Sequence, residues 1–99
     1  MKTKFIYIVR ERCDWHNCNS DDFTTAFATE ELAKEVFNKK INYLKEFLIK
    51  EGTEIIDEYL VSERYPNETR CEKCKYGRYI IITESDDWCS IWIEKIELN

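Results

Sequence analysis

A chain of 99 residues is long enough for one domain and too short for a two-domain enzyme or a full dinucleotide-binding fold. With 43% hydrophobic and 14% aromatic residues it has the apolar surface for a core, and its 2 Gly and 1 Pro leave no long linker. A net charge of −5 argues against a protein that coats nucleic acid, because phosphate binding needs local positive charge.

The first apolar run, Phe5 to Val9, is far below the ~20 residues that cross a bilayer. It is also too short, and too closely flanked by polar residues, for a secretion signal. The expected setting is the cytoplasm, with no membrane partner. In that setting a disulfide framework is not expected, and 5 cysteines would in any case leave one thiol unpaired. Residues 1–99 read as a single domain.

Residues 4–12 predict a strand. Phe5, Tyr7 and Val9 point one way and Ile6 and Ile8 the other, so both faces are apolar and the strand belongs inside a sheet. The small polar residues of 13–22 read as a loop. A short second strand falls within Phe23 to Thr29. The helix that follows is marked from both ends. Thr29 is a natural N-cap, and Glu30 and Glu31 place negative charge at the positive end of the helix dipole. Leu32, Ala33, Val36, Phe37, Ile41, Leu44, Phe47 and Leu48 make one apolar stripe, and Gly52 supplies the positive φ of a terminator. Glu35 with Lys39 and Glu46 with Lys50 have the i,i+4 spacing of favourable pairs.

Ile55 to Val61 fits either a strand or a short helix, and a strand near 57–63 is the preferred reading. Pro66 ends it, and 64–77 reads as a second loop. Gly77 to Thr83 contains the β-branched run Ile80-Ile81-Ile82 and predicts a strand. Ser85, Asp86 and Asp87 form a turn, and Trp88 to Leu98 returns as its partner. Cys89, Ile91 and Ile93 share one face; Trp88, Ser90 and Trp92 share the other, with Ile96 and Leu98 beyond them. A bulge is expected at Glu94 and Lys95, where the alternation shifts. The fold class is therefore α+β: one long amphipathic helix on a mostly antiparallel sheet of three to five strands.

The cysteines suggest a metal. Cys71-Glu72-Lys73-Cys74 has the C-x2-C spacing that lets two thiolates converge on a tetrahedral ion. Cys13 and Cys18 offer a second pair, with His16 between them as an alternative ligand. A structural zinc on Cys13, Cys18, Cys71 and Cys74 would join the loops at 13–22 and 64–77 and would steady a small core. The competing reading is reduced cysteines without metal. A redox dithiol at Cys71 and Cys74 lacks the helix N-terminus that usually lowers a thiol pKa. Cys89 reads as a small buried hydrophobe.

Trp88, Trp92 and Tyr79 are the candidate partner-binding residues, since aromatic side chains carry much interface energy; the competing reading is that the surplus aromatics fill the underside of a twisted sheet as core. Lys34, Lys39, Lys40, Lys45 and Lys50 make the helix locally basic, which keeps nucleic acid as a lesser alternative. No phosphate loop, calcium loop or metallohydrolase spacing is present.

Tyr7-Ile8-Val9, then Ala26-Phe27-Ala28-Thr29-Glu30-Glu31-Leu32-Ala33, and the closing Trp92-Ile93-Glu94-Lys95-Ile96-Glu97-Leu98 resemble small phage- and mobile-element-associated proteins. The resemblance implies an accessory or inhibitory role. It carries over no catalytic residue and does not include the cysteine-containing middle. The leading expectation is a non-enzymatic protein that binds an unknown protein partner, with a homo-oligomer as one form of that binding. The alternatives are a zinc-stabilised domain with a nucleic-acid-related role and a small metal-dependent or thiol enzyme.

Overall fold

The computed structural model describes residues 4–15, 18–21, 25–67, 75–84 and 87–98; of residues 15, 18–21 and 25 it describes the backbone only. Its centre is a pair of long strands from the two ends of the sequence. Strand β1 (Lys4–Trp15) lies antiparallel to β6 (Trp88–Leu98), in register from Lys4 opposite Leu98 to Asp14 opposite Trp88. Beyond β6 come β5 (Arg78–Thr83) and then β4 (Ile55–Leu60), both antiparallel. On the far side of β1, β2 (Cys18–Asp21) pairs with Arg12 to Trp15 and β3 (Thr25–Phe27) with Tyr7 to Val9. These two short strands follow one another along the same edge, so the six strands fill five positions across an antiparallel sheet.

Helix α1 (Glu30–Lys50) begins beside β3 and delivers the chain to β4 at the opposite edge. Its 21 residues rise about 31 Å, enough to cross five strands spaced about 4.8 Å apart. The Thr29 hydroxyl accepts from the Leu32 N–H at 3.3 Å. At the other end Gly52 has φ of 75°, its N–H donates to the Ile49 carbonyl and the Thr53 N–H to that of Leu48. This is the paired closure for which a left-handed residue is required.

Alternation puts Val9, Cys13, Cys89, Ile91, Ile93, Tyr79 and Ile81 on the helix side, where they pack with Ala33, Phe37, Leu44 and Leu48. Leu32 and Phe47, placed in the stripe by their spacing, lie at its margins and stay exposed. Glu35 pairs with Lys39 at 3.3 Å and Glu30 with Lys34 at 3.0 Å, whereas no ion pair among the described residues joins Glu46 to Lys50.

Three expectations are corrected. The described part of 13–22 is strand: β1 runs on to Trp15 and β2, Cys18–Asp21, lies beside it, because the ladder to β6 and β2 satisfies the backbone of this polar segment. The strand expected at 57–63 ends at Leu60, and Val61–Arg64 is a helical turn, α2. The register of β1 with β6 is regular through Glu94 and Lys95, and the irregularity falls instead between Ile55 and Asp57. Both charged residues fit a regular strand. Glu94 accepts from Trp92 Nε1 at 2.8 Å, and Lys95 Nζ stands 4.0 Å from the centre of the Phe5 ring.

Candidate thiol and metal centre

Cys13 and Cys89 are directly opposite in the β1–β6 register, with Cα atoms 4.0 Å apart, and the structure joins them by a disulfide. An antiparallel pair at close Cα separation brings its side chains together on one face. Both lie under the helix, Cys13 5% exposed and Cys89 fully buried. The bond corrects the expectation that disulfides are absent, and Cys89 is more than an apolar filler.

Glu11 completes the group. It shares the helix-facing side of β1 with Val9 and Cys13. Its Oε1 lies 3.7 Å from Cys13 Sγ and 3.6 Å from Cys89 Sγ. Its Oε2 is 3.8 Å from Lys40 Nζ on α1, and this partly exposed ion pair sits at the edge of the buried sulfurs. The carboxylate oxygen and both sulfurs all lie within 4.8 Å of one another, close enough to serve one metal ion. The distances suit zinc chemistry. Zn–S near 2.3 Å and Zn–O near 2.0 Å put sulfur and oxygen about 3.5 Å apart at tetrahedral angles. The two sulfurs of such a site would stand about 3.8 Å apart by the same geometry. They cannot do so while bonded to each other.

The sequence-derived ligands are thus divided. Cys13 is present in the centre, but with Glu11 and Cys89 as neighbours. Cys18 is placed by its backbone opposite Trp15, and His16, Cys71 and Cys74 lie outside the described residues. Glu11 was missed because acidic residues are common on strand surfaces. Its one signal was position: it interrupts an otherwise apolar alternation between Val9 and Cys13.

The candidate partner residues separate by face. Tyr79 is 5% exposed on the helix side, and its hydroxyl donates to Glu58 Oε2 at 2.9 Å, so it is a core residue and not part of an outer patch. Burial first, then the Glu58 carboxylate, pushes the Tyr79 hydroxyl well above its ordinary pKa and keeps it a donor. Trp88 and Trp92 share the face opposite the helix, as their alternation predicts. Trp92 is only 5% exposed: it lies between Arg10 and Arg78 in cross-strand register, with the Arg78 guanidinium carbon 6.0 Å from its ring centre. Trp88 borders an open depression of about 390 Å³ with Arg78, Ile80 and Ile82.

Four of the five helix lysines are engaged by carboxylates. Lys34 and Lys39 pair within the helix, Lys40 reaches Glu11, and Lys45 donates to Glu58 at 2.9 Å. The hydrogen bond from Lys45 is the largest influence holding Glu58 below the usual carboxylate range. A lowered folded-state pKa adds stability above the unfolded value and loses it as pH falls through the folded value. Glu58→Gln should therefore lower neutral-pH stability by no more than about 1 kcal/mol, since the pair is partly exposed. The difference should shrink as pH falls below the ordinary carboxylate range and the wild-type carboxylate protonates. Denaturant midpoints of the two proteins at pH 7 and pH 3 measure it, and an equal gap at both would refute the assignment.

Comparison with known proteins returns no match: no family model fits the chain, and no curated protein or solved structure is significantly similar to it. These comparisons add no support to the resemblance to phage- and mobile-element-associated proteins. Among the described residues, no helix is long and apolar enough to cross a membrane.

Proposed function

We propose that this chain is a non-enzymatic binding domain whose reduced form is held together by zinc at Glu11, Cys13 and Cys89. The observation that carries the reading is the convergence of one carboxylate oxygen and two sulfurs within 4.8 Å. Thiolates favour zinc over magnesium or calcium, and a carboxylate is an accepted third ligand. The fourth position is left to water or to another donor of the chain. Such a site would tie the first strand to the last, where a small domain gains most from a clasp. The pairing of the helix lysines supports stabilisation, and not a nucleic-acid-related role, as the purpose of the metal.

The test is cobalt or zinc binding to the full, reduced chain. Binding should survive Cys71→Ser with Cys74→Ser and disappear with Cys13→Ser and Cys89→Ser. Glu11→Gln should weaken it at least about 10-fold, the scale on which even outer-shell partners act. The opposite pattern, with loss at Cys71 and Cys74 and retention without Cys89, would move the metal to the C-x2-C element and overturn the reading.

A second reading rests on the sheet face opposite the helix, where Trp88, Arg78, Ile80 and Ile82 surround the open depression. Apolar side chains beside an arginine suit a protein partner. A photo-crosslinking residue in place of Trp88 should capture one protein reproducibly, and the same probe at Tyr43 on the helix should not. Equal capture from both positions would count against this face.

A further inference from the structure

The centre has a property that neither a plain structural zinc site nor a plain disulfide has. Its two sulfurs are bonded in the structure, yet the same two sulfurs and Glu11 Oε1 are the only group of three metal-ligating side chains drawn together among the described residues. A zinc ion needs both sulfurs as thiolates, about 3.8 Å apart; a disulfide leaves neither as a thiolate. We propose that disulfide formation and metal binding are alternative states of this one site, so that a low-molecular-weight disulfide oxidises the zinc-loaded form and expels the ion. The proposal rests on the zinc reading above and adds its control.

The chemistry balances without any further reactant. One cysteine thiolate attacks the oxidant R–S–S–R, forms a mixed disulfide and releases R–S⁻. The second thiolate attacks the cysteine sulfur of that mixed disulfide and releases the second R–S⁻. Two electrons pass from the protein sulfurs to the oxidant, and zinc leaves as Zn²⁺ with its oxidation state unchanged. Cys13 is the less buried residue of the two, 5% exposed against none for Cys89. It is therefore assigned the first attack, and Cys89 resolves the intermediate. Entry is past the Glu11–Lys40 ion pair, whose side chains are 27% and 17% exposed. Cys89 lies directly across from Cys13 in the strand register, so the resolving step needs side-chain rotation and no rearrangement of the sheet.

The strands favour both states for the same reason. The ladder from Lys4–Leu98 to Asp14–Trp88 fixes residues 13 and 89 opposite each other whether or not they are bonded. Opening the bond to the spacing of two zinc ligands moves each sulfur by an ångström or so, within the reach of a χ1 adjustment. Glu11 already stands at ligand spacing from both sulfurs before they separate.

The experiment loads the full reduced chain with zinc, removes the reductant and titrates it with oxidised glutathione. Free zinc is read with a chromogenic chelator and the cysteine pairing by peptide mass mapping. The expected result is zinc release in step with the Cys13–Cys89 bond, full reversal by dithiothreitol, and the same behaviour in the Cys71→Ser, Cys74→Ser variant. Zinc that stays bound while the Cys13–Cys89 bond forms would put the ion elsewhere and overturn both readings, whereas a zinc-loaded chain that neither forms the bond nor releases the ion under excess oxidised glutathione would overturn the proposal and leave the zinc reading intact. Release that accompanies a different cysteine pair would also overturn it. Failure of the reduced chain to take up zinc at all would overturn the zinc reading first and this proposal with it. None of these readouts depends on a variant of Cys13 or Cys89 that must fold.

Discussion

Replacing both Cys13 and Cys89 by alanine is expected to lower the stability of the oxidised protein by about 4 kcal/mol. The bond joins residues separated by 76 positions, and cross-linking a loop of that length removes much of the entropy of the unfolded chain. Against the ~5–15 kcal/mol that holds a typical domain, this is a large share. The packing that the two sulfurs themselves supply is small by comparison, since alanine keeps both Cβ atoms in the core. Three denaturant titrations decide the matter: oxidised wild type, wild type reduced in the presence of a chelator, and the double alanine variant. The second and third should nearly coincide, well below the first. A midpoint indifferent to reductant would show that the bond contributes nothing to the fold. Zinc at about 100 times its dissociation constant should return about 2.7 kcal/mol to the reduced wild type. It should return nothing to the alanine variant.

That experiment turns on a contact the sequence does not announce. Alternation alone places Cys89 beside Ile91 and Ile93, and Cys13 two steps beyond Glu11 on the strand that starts at Lys4. Whether those two faces meet, and at which residues, is a matter of register. Register depends on the hydrogen-bonding partner of each strand and on where the chain returns, across a sequence separation of 76. The helix is different because its signals are local. Thr29, the two glutamates after it, the stripe through Ala33, Phe37, Leu44 and Leu48, and Gly52 are all legible within a few turns. The same contrast explains the misread segment at 13–22. Cys13 and Asp14 sit in a stretch with the composition of a loop. They are strand because β6 extends beside them to Trp88 and offers a complete ladder. Glu11 shows the limit most sharply. An acidic residue in the middle of a strand is ordinarily an outward one. Here the alternation turns it inward, and Lys40 arrives from the helix to meet it.

Phe37→Ala is expected to be the most damaging single substitution in the helix, at about 3–5 kcal/mol. Phe37 is buried and its ring packs against Gly77, a residue at φ of 131° whose carbonyl accepts from the Ile93 N–H at 3.1 Å. The ring therefore stands between the helix and the start of β5, beside the Ile93 side chain. Tyr43→Ala is the control: with 74% of its surface exposed, it should change stability by no more than about 0.5 kcal/mol. The consequence reaches the sulfurs through the helix. Lys40 lies about one turn beyond Phe37 and meets Glu11 at the edge of the centre. Loosening the helix at Phe37 should thus open that edge, and the reduced thiols at 13 and 89 should react faster with a bulky alkylating reagent. In Phe37→Leu, which keeps most of the volume, both effects should be smaller. If stability fell in Phe37→Ala while the alkylation rate of Cys13 and Cys89 under native conditions stayed at the wild-type value, the helix would not be what shields the centre. The protection of the sulfurs would then have to come from the sheet alone.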